Sequence, residues 1–183
     1  RLSDRADVHN SLGGALLESG DLTGAESAFR QELEIHPALT EAHSNLSHLL
    51  TLDNRPEDGA AHAWRAMELD ETFASAWVNL ANALLALDQP EEALTAAERA
   101  IALIPDSAEA QNCLGSTLDA LTREAEARAA YERAIALEPE LAEAHSNQAL
   151  NLLGAGDYES GFAEYERRLK LAGRAVSHTA RPS

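Results

Sequence analysis

A 34-residue period runs through this 183-residue chain and constrains its fold more than any other feature of the sequence. Pro105 and Pro139 stand one period apart, Pro37 precedes Pro105 by two periods, and Glu71 fills the slot between them. Aligned on those positions, repeats begin at Ala6, Thr40, Ala74, Ala108 and Ala142. The seventh position then carries Leu12, Leu46, Leu80, Leu114 and Gln148, and the eighth is small throughout, as Gly13, Ser47, Ala81, Gly115 and Ala149. Small residues return at the twentieth position as Ala25, Gly59, Ala93, Ala127 and Gly161, and the twenty-fourth is aromatic in Phe29, Tyr131 and Tyr165. Spacings of three and four within each half repeat give every helix one apolar stripe. The small residues let the two helices of a hairpin approach closely.

Punctuation agrees with the period. Gly20 and Gly156 fall where the first helix of a hairpin should end, because Gly tolerates the left-handed backbone of a helix C-cap. Pro56 and Pro90 fall just inside a second helix, where the missing N–H costs nothing. The turns are therefore short and the paired helices antiparallel. Aromatic residues make up only 4% of the chain, so the core must come from many small helix formers. Two repeats depart from the pattern. Gly59, Ala63 and a displaced Trp64 predict a second helix that is rotated or locally loosened in repeat two. Arg168 and Gly173 mark repeat five as terminal or transitional.

The quoted positions resemble the tetratricopeptide repeat (TPR) family, whose pattern W-x2-L-G-x2-Y…A-x3-F…A-x4-P is met most fully from Trp77 to Pro105. The resemblance covers roughly residues 6–170. It implies an all-α fold, a right-handed α-solenoid of five TPR hairpins spanning 1–169, with 170–183 as a basic C-terminal tail or linker. It also implies that the first helices, 6–19, 40–53, 74–87, 108–121 and 142–155, line a concave face.

That face has a distinctive chemistry. None of the five first helices contains Lys or Arg, which disfavours a clamp for a partner's C-terminal carboxylate, since such a group needs charge-assisted donors. Asn45, Asn79 and Asn147 share the sixth position, with Ser11 and Cys113 in the other two slots. An Asn amide offers a donor and an acceptor, so a row of them can pair with the backbone of an extended peptide. This is similar to the asparagine ladder of O-linked N-acetylglucosamine transferase, although Asn is also the TPR family's commonest residue there, and both readings stand. With Asn82 and His48 at the ninth position, Asn10 and Asn112 at the fifth, and Leu85 and Asp119 at the twelfth, these residues form the expected peptide-binding set. Leu17, Leu52, Val78, Leu150 and Leu153 are expected to give apolar contact beside them. Asp7, Glu18, Glu41, Glu109, Asp119 and Glu143 are expected to make the rim acidic, favouring a neutral or basic client.

Charge and the remaining motifs narrow the function further. The net charge of −17 is unevenly placed, because every acidic residue lies at or before Glu166 and residues 167–183 carry +5. A body this acidic repels phosphate backbones, so nucleic acid is not an expected partner. No run of eighteen apolar residues exists and no signal-peptide pattern opens the chain, so no membrane partner and a cytoplasmic location are expected. A start at Arg1 with Met67 as the only Met points to a segment of a longer protein. The single Cys113 excludes an internal disulfide, which fits a reducing compartment.

His9, His43 and His145 occupy the fourth position, where the TPR pattern places a large packed side chain, while His48 and His62 stand isolated. No metal-ligand spacing, nucleophile elbow or Gly-rich phosphate loop is present, so the expectation is a binding module without metal or cofactor and not an enzyme. The run from Leu152 to Leu169 resembles the final repeat of bacterial arrays that lead into a glycosyltransferase domain. That likeness implies recruitment of a protein substrate, such as a flagellin-like surface protein, to a linked glycosyltransferase. The alternative is a scaffold that assembles with itself or with several partners.

Overall fold

The computed structural model describes residues 6–179, with side chains described over 8–171, and these residues form ten α-helices and no strand. Asp7 of the expected rim, and Gly173, Arg174 and Arg181 of the expected tail, lie outside the described side chains. The chain forms two compact units, Arg1–Leu103 and Ile104–Ser183. The first holds α1 (Ala6–Glu18), α2 (Leu22–Ile35), α3 (Thr40–Leu52), α4 (Pro56–Leu69), α5 (Ala74–Ala86) and α6 (Pro90–Leu103). The second holds α7 (Ala108–Ala120), α8 (Glu124–Leu137), α9 (Ala142–Gly154) and α10 (Tyr158–Thr179). Within each unit a first helix packs on its own second helix, and that second helix packs on the next first helix. First helices also touch one another, α1 on α3, α3 on α5, and α7 on α9. The architecture is all-α, a solenoid of helical hairpins, as the period predicts.

The same turn recurs after every first helix. The backbone N–H of Asp21, Arg55, Gln89, Arg123 and Asp157 donates to the carbonyl five residues earlier, at 2.8–2.9 Å. This closure requires a left-handed residue just before it. Gly20 and Gly156 supply it at φ 84° and 83°, and Asn54, Asp88 and Thr122 adopt it at 58–59°. α4 and α6 begin at Pro56 and Pro90, as expected from their tolerance of a missing donor.

In the first four repeats packing within a hairpin is reciprocal in size. The ring of Phe29 lies where a Cβ on Gly13 would stand, and the ring of Tyr131 lies over Gly115 in the same way. Where the twenty-fourth position is Ala63 or Ala97, the eighth carries Ser47 or Ala81 instead. In the first unit Phe29 joins Ala25, Leu46, Leu49 and Leu50 in a fully buried cluster, with Leu16, Leu17 and Leu33 against it. Repeat two corrects the expectation of a rotated or loosened helix. α4 is continuous, Ala63 is fully buried in the place of an aromatic ring, and Trp64 points outward at 52% exposure. Gly59 lets α4 approach close to the Ser47 carbonyl and the Thr51 hydroxyl of α3. α10 continues to Thr179, so the expected boundary at 169 falls inside a helix.

Candidate polypeptide-binding face

The sixth-position asparagines lie on the seams between successive first helices. Asn45 Nδ2 donates to Asn10 Oδ1 at 3.1 Å, across from α3 to α1. Asn79 Nδ2 donates to the Ser44 carbonyl and to Ser44 Oγ, both at 2.9 Å, across from α5 to α3. Asn147 Nδ2 donates to Asn112 Oδ1 at 3.0 Å and to Ser116 Oγ at 3.2 Å, across from α9 to α7. At all three seams a bond runs from position six of one repeat to position five of the repeat before it. The amide donors therefore fasten neighbouring repeats. Among the described residues no hydrogen bond reaches the Oδ1 of Asn45, Asn79 or Asn147. All three side chains are partly exposed, so the seams of each unit present acceptors. The expectation that these residues would offer donors and acceptors alike is corrected for Asn79 and Asn147, whose Nδ2 atoms each already have two acceptors.

The other expected residues divide. His48 and Leu52 on α3 and Leu150 on α9 are exposed, Leu52 at 57% and Leu150 at 64%. Glu18, Glu41, Glu109 and Glu143 are exposed as a rim requires. Asn82 and Leu85 on α5 are partly exposed, and Asn112 is buried, with its Oδ1 taken by Asn147. Leu17 packs on the first unit's core, Val78 is 9% exposed, and Leu153 leans on Gly161 of α10. These last three serve helix packing instead of an open surface.

Asp119 requires a correction, because it does not stand free on the rim. Its Oδ2 accepts from the Tyr131 hydroxyl at 2.9 Å and its Oδ1 from Asn151 Nδ2 at 2.6 Å. Asn151 Nδ2 also donates to the Glu124 carbonyl at 3.1 Å, so Asp119, Tyr131 and Asn151 tie α7, α8 and α9 together. Burial pushes the Tyr131 hydroxyl well above the ordinary phenol range. No separate signal in the sequence marks this network, since Asn151 occupies a slot of the apolar stripe.

The fourth position is also more specific than a packed side chain. His43 Nε2, Trp77 Nε1, Gln111 Nε2 and His145 Nε2 each lie 2.9–3.4 Å from the carbonyl six residues earlier, those of Pro37, Glu71, Pro105 and Pro139. His43 and His145 are buried, and His9 is partly exposed. His62 is not isolated, because its Nδ1 lies 2.9 Å from His43 Nδ1. With His43 Nε2–H given to Pro37, His43 Nδ1 accepts and His62 Nδ1–H donates. His145 Nδ1 lies 2.6 Å from Glu164 Oε2. Cys113 is buried, and that burial pushes its thiol up to about 12. Among the described residues no three His, Cys, Asp or Glu side chains gather as metal ligands. No helix there is long and apolar enough to cross a membrane.

Profiles of the tetratricopeptide repeat match residues 1–40, 74–117 and 108–141. No curated protein sequence matches the chain. Among solved structures, the crystal structure of MamA is 26% identical over 91% of this chain and 97% of its own, with a TM-score of 0.64. TTC0263, a thermophilic TPR protein of Thermus thermophilus, is 21% identical over 94% of each chain, with a TM-score of 0.87. YrrB, described as a TPR protein with an unusual peptide-binding site, is 18% identical over 87% of this chain and 82% of its own, with a TM-score of 0.58.

Proposed function

Because the chain carries tetratricopeptide repeats across residues 1–40 and 74–141, we propose that it captures client polypeptide on the first-helix face of each unit. The observation that carries this reading is the set of Asn Oδ1 atoms at positions 45, 79 and 147. Asn79 and Asn147 direct Nδ2 to two seam acceptors each and Asn45 to one, while among the described residues their Oδ1 atoms accept no bond. A buried amide oxygen is costly to leave unpaired, so a partly exposed one beside apolar surface favours a partner that brings N–H groups. Exposed Leu52 and Leu150 add apolar contact, and Glu41, Glu109 and Glu143 favour a client with Lys or Arg. The client is an extended segment, because only an extended backbone presents unpaired N–H groups in series. YrrB, with its peptide-binding site, offers a parallel within the same fold.

Delivery of that client to a linked glycosyltransferase domain is the further step of this reading, and flagellin-like surface proteins are its candidate clients. It is supported by the sequence of Leu152–Leu169 alone. The capture step is tested by titrating a labelled basic peptide against the protein and against an Asn79→Ala, Asn147→Ala double variant whose helix content is checked by circular dichroism. The double variant should bind at least about tenfold more weakly. Unchanged affinity in a folded double variant discards the seam acceptors.

A further inference from the structure

The open amide oxygens of the first unit stand at a spacing that selects the conformation of the chain they receive. Among the described residues, Glu32 Oε2 and Ser47 Oγ are the only buried side-chain oxygen or nitrogen atoms without a hydrogen-bond partner. Asn45 Oδ1 and Asn79 Oδ1 also lack one, so both reach solvent. Asn45 closes the seam between α3 and α1, and Asn79 closes the seam between α5 and α3, so the width of one helix separates the two oxygens. Touching helices have axes about 8–10 Å apart, and the two acceptors stand at about that distance.

An extended client meets both oxygens only if N–H groups on one of its sides recur at that distance. Along one edge of a β-strand they recur every second residue, at about 6.7 Å and then at about 13 Å. In a polyproline II helix equivalent positions recur every third residue, about 9.3 Å apart, and no N–H is spent within the helix. Only the second spacing fits. The surface beside the oxygens has a matching three-part form. In α3 Glu41, Asn45 and Leu52 are four and seven residues apart and share one helix face, as do their counterparts Ser75, Asn79 and Ala86 in α5. All six are exposed or partly exposed. A client that crosses these helices has the two amides beneath it, the Glu41 carboxylate and Ser75 hydroxyl on one flank, and the aliphatic carbon of Leu52 and Ala86 on the other.

We propose that the first unit takes a polyproline II segment in which every third residue donates its N–H to a seam oxygen. A basic side chain fills the column beside Glu41, and an apolar one, proline included, fills the column over Leu52 and Ala86. This rests on the client capture proposed above and names the conformation and side-chain pattern of the client. A polyproline II chain has three columns of side chains, one for each part of the face, whereas a strand has two. Proline suits the columns that donate nothing and is excluded from the donating one, because it has no N–H. Its fixed φ also lowers the entropy lost when the segment is ordered on binding.

Labelled peptides built of Ala-Pro-Lys triplets test it against the full chain by fluorescence anisotropy. Ala supplies the N–H, Pro the apolar column and Lys the basic column. Replacing each Ala by N-methylalanine removes the donors and should weaken binding at least about tenfold, while N-methylating the Lys amides instead should change it less than about threefold. In Asn79→Ala, with its fold checked by circular dichroism, the penalty for N-methylalanine should shrink, because one of the two acceptors is gone. Equal losses from methylation at Ala and at Lys overturn the proposal, and so does a penalty that Asn79→Ala leaves unchanged. A peptide of the same composition with the period of three scrambled separates this from capture itself. If it binds as tightly as the triplets and still loses affinity in the Asn79→Ala, Asn147→Ala double variant, the polyproline II assignment fails while capture stands. If neither peptide binds, both fail.

Discussion

At the scale of single residues, the turn between paired helices sets a demand that the amino acids meet unequally. Five equivalent positions adopt the left-handed backbone, filled by Gly20, Asn54, Asp88, Thr122 and Gly156. Gly has no Cβ to clash there, and Asn and Asp tolerate the region through local hydrogen bonding, but a β-branched side chain is strained in it. Thr122 is the costly member of the series, held at φ 59° by the bond from Arg123 N to Leu118 O. Thr122→Gly should relieve more strain than it adds in unfolded-chain entropy and stabilise the protein by about 1 kcal/mol. Thermal unfolding followed by circular dichroism checks this, and a lower melting temperature for the variant would contradict it.

At the scale of elements, α3 and α4 are joined by a contact whose strength depends on pH. The ring centroids of His43 and His62 lie 5.2 Å apart, with the two Nδ1 atoms facing each other across 2.9 Å. Burial lowers both pKa values from 6.5. At His43 the bond to the Pro37 carbonyl opposes the effect and Arg65 adds to it, and at His62 the His43 ring, Arg30 and Arg55 add to it while Asp58 opposes them. A base whose folded pKa is depressed takes up protons more readily when unfolded. The pair's contribution is therefore present above about pH 6.5 and is lost as pH falls below it toward the lowered folded values. The urea midpoint should fall between about pH 7 and about pH 5, and His62→Gln should flatten that slope, because Gln keeps a donor for His43 Nδ1 without titrating. A wild-type midpoint that does not move over that range would contradict the assignment.

The hairpins themselves were legible, because the period fixes which residues share a stripe and Pro56 and Pro90 announce helix starts in any context. The His43–His62 pair was not, since residues nineteen apart meet only when the turn length sets the phase of α4 against α3. The shared N–H at position four was hidden in the same way, because His, Trp and Gln look unlike in size and polarity. Their common function is visible only once the carbonyls of Pro37, Glu71, Pro105 and Pro139 stand opposite them. Asn45, Asn79 and Asn147 were found by period alone. The direction of their donors depended on what occupies position five of the preceding repeat.

At the scale of the whole molecule, a charge of −17 acts on every encounter before any seam is reached. None of the first helices carries a Lys or Arg, and Glu41, Glu109 and Glu143 stand exposed on them, so the surface offered to a client is negative. Long-range attraction should then speed the arrival of a basic segment, while the seam acceptors and the exposed Leu52 and Leu150 govern how long it stays. The two contributions separate experimentally, since salt screens charges beyond roughly 10 Å but leaves short hydrogen bonds and apolar contacts largely intact. Stopped-flow binding of a Lys-rich extended peptide should therefore show an association rate that falls steeply between about 0.05 M and about 0.5 M salt, with a dissociation rate that changes little. Asn79→Ala should do the reverse, raising dissociation at constant salt dependence of association. If both rates respond to salt alike and the substitution alters neither, binding is a diffuse attraction between opposite charges, and the seam asparagines take no part in it.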